Sequence, residues 1–445
     1  MEYRRLIPIP SLLYALRIIV RVQCGGHYHK TTVCAEISPQ SLLRFRQYAA
    51  RVRTITSVID PNDYWLRHCP SYDDHGVIFP FLRSARIKFK APVFSLLLSP
   101  SLRDVHIDFR SMYGPGCLIE VQSIVREICS AAPLLDSIKF TNSPPGALVS
   151  IATLDHLIKV DLPISATIVA DLKLLRSLSA METITSLSIQ LDSKPKRGRV
   201  LSPRGFPALR ELEVYGDLPD VTHLLSELAS PHIHHVKVVS RSISLQLASK
   251  CLDTLRSRFS SLRSLHFFQF AGPGADMTPT TFIDCIGPVL QMPHLHKVFL
   301  EFPRWKFYCQ PQDFLTMTQS WPDLRSLALE FTPVGQIYRF ESIMDVAYLC
   351  PKLEHGFEIH ISRRLYAIHG LRMLHFCRLL GIQSLEDGDS VHEFDPDSEN
   401  FLTQIKLIDR TFPNMNPFYF RYGQLLTSQD GAESLAGFEY VYCLS

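Results

Sequence analysis

The stretch Pro207-Ala208-Leu209-Arg210-Glu211-Leu212-Glu213-Val214 decides the fold. After the proline come an aliphatic residue two positions on and two more aliphatics that alternate with glutamates. That alternation puts Leu212 and Val214 on one face of a short strand and the acids on the other. Leu209 sits one turn earlier, where the chain enters the strand. The proline ends whatever helix precedes it, because it has no amide donor and its ring clashes with the previous turn.

The same spacing recurs on both sides of this stretch. Upstream it reads Pro80-Leu82-Ala85-Ile87, Pro100-Leu102-Val105-Ile107 and Pro133-Leu135-Ile138-Phe140, then, without the proline, Leu157-Val160-Leu162 and Ile184-Leu187-Ile189. Downstream come Pro231-Ile233-Val236-Val238, Leu262-Leu265-Phe267, Pro293-Leu295-Val298-Leu300 and Pro322-Leu324-Leu327-Leu329. An eleventh copy begins at Pro351-Leu353, where Gly356 and Glu358 break the pattern. The steps between first aliphatics are 20, 33, 22, 27, 25, 24, 29, 33, 29 and 29 residues.

Helical spacing fills the intervals. Val121, Ile124, Val125 and Ile128 form one stripe, and Leu172, Leu175 and Leu178 another. Asp220 is placed to cap a helix carrying Val221, Leu224, Leu225 and Leu228, and Thr280 one carrying Phe282, Ile283, Ile286 and Leu290. Strand, loop, helix and proline in steps of this length are the signature of a leucine-rich repeat, whose units stack into one solenoid. The expected fold is therefore α/β: an irregular horseshoe with parallel strands on the concave face and helices on the convex face. It is irregular because the turn position that holds Asn or Cys in regular repeats carries Arg110, Ser143, Ser165, Asp192, Asp217, Arg241, Phe270, Pro303 and Thr332 here.

Three segments carry a family resemblance. Arg44-Phe45-Arg46-Gln47-Tyr48-Ala49-Ala50-Arg51-Val52-Arg53 is similar to the segment that joins the F-box to the first repeats in the F-box/leucine-rich-repeat-like proteins of mushroom-forming fungi. Ser95-Leu96-Leu97-Leu98-Ser99-Pro100-Ser101-Leu102 resembles that family's approach to an early strand, and Thr411-Phe412-Pro413-Asn414 a C-terminal segment seen there. The resemblance covers roughly residues 40 to 420. It implies a substrate receptor of a cullin ubiquitin ligase, docked on the Skp adaptor through three F-box helices. Residues 1 to 36 depart from the family pattern: Ile9-Pro10-Ser11-Leu12-Leu13 is a faint match to the F-box start, and Cys24-Gly25-Gly26 interrupts a helix. The F-box is expected to be missing or diverged. The alternative is a free-standing repeat scaffold with no ubiquitin connection.

The expected organisation is a poorly defined leader over 1–40, a helical cap or linker over 41–78, the repeat array over 79–360, and a C-terminal cap over 361–445 with an acidic loop at 385–400. Forty-six basic residues against 43 acidic ones leave a net charge of +3, too even to point to nucleic acid or an anionic membrane. Ser11–Val22 is short and interrupted by Arg17 and Arg21, so no membrane span is expected. Eleven cysteines without fixed spacing suggest reduced thiols in an intracellular protein, cytoplasmic or nuclear.

Function is expected on the open face of the strands. The residues that alternate with the core aliphatics include Arg86, His106 and Lys139, and then a denser mixture of aromatics and charges. Tyr215, His235, Lys237, His266, Phe268, Lys297, Phe299 and Glu301 are the candidate partner-binding residues, since protein interfaces combine aromatic anchors with charges that set specificity. Other constellations read as surface or loop. Cys24, His27, His29 and Cys34 are zinc-type residues at an unusual spacing. His232, His234 and His235 surround one strand start, and Lys194-Pro195-Lys196-Arg197-Gly198-Arg199 is a basic run that suits an exposed loop or a nuclear-import signal. There is no phosphate loop, dinucleotide fingerprint, nucleophile elbow or zinc-protease helix. No catalytic residue, metal or cofactor is expected, and the partner is expected to be a protein.

Overall fold

The computed structural model describes residues 19–24, 28–33, 39–57, 79–88, 98–109, 117–144, 146–162, 172–191, 205–241, 244–270, 278–334 and 357–361. Strands β1 (Ile19–Cys24) and β2 (Tyr28–Val33) form an antiparallel pair. Helix α1 (Pro39–Ala49) follows, and then a parallel sheet built in chain order. Its strands are β3 (Thr54–Ser57), β4 (Ser84–Lys88), β5 (Asp104–Asp108), β6 (Ser137–Thr141), β7 (Lys159–Asp161), β8 (Ser186–Gln190), β9 (Glu211–Tyr215), β10 (His235–Ser240), β11 (Ser264–Gln269), β13 (Lys297–Tyr308), β14 (Ser326–Val334) and β15 (Phe357–Ile361). The two-residue β12 (Thr280–Thr281) pairs with the far end of β13. The sheet is an open path from β3 to β15 and does not close into a barrel.

Between strands lie α2 (Cys117–Ala131), a 3-10 turn over Val149–Thr153, α3 (Leu172–Ser179), α4 (Leu218–Glu227), α5 (Leu245–Arg258), α6 (Phe282–Leu290) and α7 (Pro311–Ser320). The helices share one continuous apolar core with a single face of the sheet. Val121, Ile124, Val125 and Ile128 of α2 are buried as the stripe predicts, as are Leu175 and Leu178 of α3. The expected capping residues are shifted, however. Asp217, not Asp220, precedes α4, and Thr281, not Thr280, precedes α6; neither makes a side-chain cap bond. Pro219 in the first turn sets the start of α4, since a proline there loses no hydrogen bond.

Pairing register turns the repeated aliphatics into columns. Ile55, Ala85, Val105, Ile138, Val160, Leu187, Leu212, Val236, Leu265, Val298 and Leu327 occupy equivalent positions in neighbouring strands. All of them are buried. Two sets of hydrogen bonds, one between backbones and one from side chains, hold successive units together. At each strand start one carbonyl accepts two consecutive amides of the next unit. Arg53 O receives Arg83 N at 2.8 Å and Ser84 N at 3.0 Å, and the pattern continues until His296 O receives Arg325 N at 2.7 Å and Ser326 N at 3.0 Å. Hydroxyl side chains add further bonds to the preceding unit: Ser99 donates to Pro80 O (2.8 Å), Thr183 to Leu157 O (2.7 Å), and Ser230 to Leu209 O (2.7 Å).

Four expectations about organisation change. The leader contains the β1–β2 pair. The sheet begins at β3, inside the stretch assigned to a helical cap, because Val52-x-x-Ile55-x-Ser57 is a further copy whose last position is polar. The eleventh copy is not broken: Phe357 pairs opposite Leu327 and Ile359 opposite Leu329, so this copy has one extra residue between its first and second apolar positions. The long β13 bulges between Glu301 and Lys306, which buries Phe302, Trp305 and Phe307. The acidic loop at 385–400, the basic run 194–199 and the segment 411–414 lie outside the described residues. Among those described, no helix is long and apolar enough to cross a membrane.

Candidate functional site

The face of the sheet opposite the helices carries the side chains that alternate with the buried columns. Register arranges them in three rows across β9, β10, β11 and β13. The first row is Glu211, His235, Ser264 and Lys297; the second is Glu213, Lys237, His266 and Phe299; the third is Tyr215, Val239, Phe268 and Glu301. All eight candidate residues therefore lie on one face, within four adjacent strands. Lys297 is exposed and the other seven are half-buried. Strand spacing of about 4.8 Å lets side chains in one row touch the next.

They do touch. Lys237 Nζ lies 2.5 Å from Glu213 Oε1 and 5.8 Å from the centre of the Tyr215 ring. The Tyr215 hydroxyl donates to the same Glu213 oxygen. Burial pushes the Glu213 carboxyl up, but the Lys237 ammonium and the Tyr215 hydroxyl outweigh it and hold the carboxyl below its ordinary range. Burial and the Glu213 charge raise the Tyr215 phenol, which stays protonated. One strand further, His266 Nε2 is 2.7 Å from Glu301 Oε1, and its ring lies 5.6 Å from that of Phe299. Burial lowers the pKa of His235; the carboxylates of Glu211 and Glu213 oppose this, and His266 and His234 add to it.

Two features of the face were not assigned from sequence. Phe268 stacks on Phe270, with centroids 6.4 Å apart and planes 9° from parallel. In the sequence Phe270 stands only at a turn position after the strand aliphatics. A second charged cluster spans β4 to β7, with His106 of β5 between Arg86 and Lys139, and Lys139 Nζ 2.8 Å from Asp161 Oδ2. Burial first, then the Arg86 and Lys139 charges, push His106 down to about 4 against the pull of Asp161 and Asp108. Alternation puts Arg86, His106 and Lys139 on the open face, but their mutual pairing, and that of Lys139 with Asp161, depends on register, which one copy of the repeat does not encode.

Other candidate chemistry gathers no metal set or falls outside the described residues. Cys24 and His29 lie in β1 and β2, while His27 and Cys34 are not described. His232 is exposed and His234 half-buried at the start of β10, with His234 Nδ1 3.1 Å from His232 O. Among the described residues no group of three or more His, Cys, Asp or Glu is placed to hold a metal. Burial raises the Cys129 thiol to about 11 and those of Cys251 and Cys285 to about 12, so they are core groups and poor nucleophiles. What remains is a broad, rowed surface of rings and mutually paired charges. No family model matches the chain, and no curated protein matches it.

Proposed function

We propose that this chain is a leucine-rich-repeat recognition protein that binds a protein partner on the open face of its sheet, across β9 to β13. The observation that carries the reading is the convergence of Tyr215, Phe268 and Phe299 with Lys237, His266, Lys297 and Glu301 on one face of four adjacent strands. The sequential parallel order and the repeated strand-start bonds support stacked repeat units. Aromatic rings held by neighbouring side chains supply binding energy with little ordering cost, and the surrounding charges select the partner.

Affinity purification of the wild-type chain and of a Phe268→Ser/Lys297→Glu/Phe299→Ser variant tests the assignment. The variant should lose the principal partner while keeping its melting temperature. An unchanged set of partners would refute it. The family resemblance extends the proposal to substrate reception for a cullin ubiquitin ligase, for which the Skp adaptor should co-purify; its absence would remove that role. A free-standing scaffold is the second reading. It is favoured by the β1–β2 pair, which forms strands over residues 19–24 and 28–33 where the resemblance implies F-box helices.

A further inference from the structure

The open face presents its apolar side chains in a line. In the row nearest the strand ends, Tyr215, Val239 and Phe268 lie side by side on β9, β10 and β11. Phe270 stacks on Phe268, and Phe299 of β13 stands one row below the end of the line. All five are half-buried. In the row nearest the strand starts the order is Glu211, His235, Ser264 and Lys297. Glu211 and Lys297 are exposed, and among the described residues neither makes a side-chain hydrogen bond or ion pair. Lys237 is already paired with Glu213, and His266 with Glu301. An apolar line thus runs across four strands, with one unpaired acid beside its first strand and one unpaired base beside its last.

The backbone of β9 to β13 is hydrogen-bonded to a neighbour on both sides, so a ligand on this face meets side chains and cannot join the sheet. An extended segment laid there would bury amides and carbonyls that have no partner. A helix closes those bonds within itself. Spacing also selects the helix. Strands lie about 4.8 Å apart and helical turns about 5.4 Å apart, so one side chain per turn falls near each strand. Same-side residues of an extended segment are about 6.7 Å apart and lose step by about 2 Å at every strand.

We propose that the open face takes an amphipathic helix of a partner protein laid across the strands; this rests on the open face being the binding surface. The apolar stripe of the helix lies on the line from Tyr215 to Phe299. Three strand steps separate Glu211 from Lys297, about 14 Å, which a helix covers in about ten residues. The helix therefore carries a basic residue at the Glu211 end and an acidic one about three turns away at the Lys297 end. Glu211 and Lys297 are exposed, so they act mainly by repelling the wrong sign and thereby fix which way the helix lies.

Fluorescence anisotropy of the full chain tests this with three labelled, alanine-rich peptides of about 18 residues. The first has one leucine per turn and, on the flank of that stripe, Lys and Glu three turns apart. The second is its copy with a central proline, and the third carries Glu at both flank positions. The first should bind, and the proline copy should bind at least about tenfold more weakly. Wild type should prefer the first peptide to the third. Glu211→Lys, checked for an unchanged melting temperature, should reverse that preference by about fivefold. No binding of the first peptide, equal binding of its proline copy, or an unchanged preference in Glu211→Lys would each overturn the proposal. Affinity purification separates this claim from the one it rests on. A Phe268→Ser/Lys297→Glu/Phe299→Ser chain that keeps its partners refutes the open face itself, whereas loss of the partner without helix-dependent peptide binding removes the helix alone.

Discussion

Replacing Phe282 by alanine should loosen one end of the sheet and leave the other intact. Phe282 opens α6 and is fully buried. Its ring lies 4.7 Å from Phe331 in a stacked arrangement, 5.3 Å from Phe307 edge-on, and 6.4 Å from Phe302. Removing a buried phenyl ring costs about 3–5 kcal/mol. Three aromatic partners put this site near the upper part of that range, because ring pairs contribute about 0.5–1.5 kcal/mol beyond area burial. The rings it leaves behind belong to the β13 bulge and to β14, so the loss should be local. Hydrogen exchange should show amides of β13 and β14 losing about 4 kcal/mol of protection, with β4 to β6 unchanged, because pairing in the sheet joins only neighbours. Phe282→Leu keeps most of the volume and should cost less than about 1.5 kcal/mol. A loss under about 1 kcal/mol for the alanine variant, or an equal loss at β4 to β6, would refute this account of the aromatic cluster.

Two other perturbations report on different parts of the structure. His106 is held neutral in the fold to about pH 4 but takes up its proton near 6.5 when unfolded. The unfolded state therefore binds more protons between these values, and stability should fall as pH drops through that window and level off below it. The full linkage is about 3 kcal/mol, and partial solvent exposure reduces it to about 1–2 kcal/mol. Urea titrations at pH 7 and pH 4.5 should show His106→Gln losing less stability than wild type by that margin; equal losses would show that His106 is not the source. Gly205→Ala would bring a Cβ within 2.3 Å of both Cβ and the carbonyl oxygen of Ser179. Backbone there must move, so the variant should lose about 1–3 kcal/mol, and an unchanged melting temperature would contradict the close approach.

Sequence reading found ten strands because each repeats the same three buried positions, and a buried column tolerates only apolar side chains. It missed β3 because Ser57 stands at the last position, and it treated the copy at Leu353 as broken because one inserted residue shifts its phase. Alternation on a two-residue period is unforgiving in this way: a single insertion moves every side chain to the other face. The β13 bulge escaped for a similar reason, since Phe302, Trp305 and Phe307 do not keep the spacing that Val298 and Leu300 begin. All eight face residues were legible from alternation. Their pairing, such as Glu213 with Lys237, was not, because it joins residues 24 positions apart whose alignment is set by the length of the intervening α4 segment.

The charges of the open face are already balanced within it, and this determines what they can contribute to binding. On the open face Lys237 already has Glu213, and His266 already has Glu301. A partner gains little by offering new charge there, since it would have to replace bonds the face makes with itself. Those bonds instead hold aromatic groups in place: the Lys237–Glu213 pair fixes Tyr215, and the His266–Glu301 pair sets the ring beside Phe299. The open face is thus suited to short-range, shape-dependent contact at low ordering cost. If the partner docks on this face, truncating Phe268 and Phe299 should raise its dissociation rate and leave its association rate and salt dependence nearly unchanged. Slower association with an unchanged dissociation rate would mean that charge rather than ring contact governs the site.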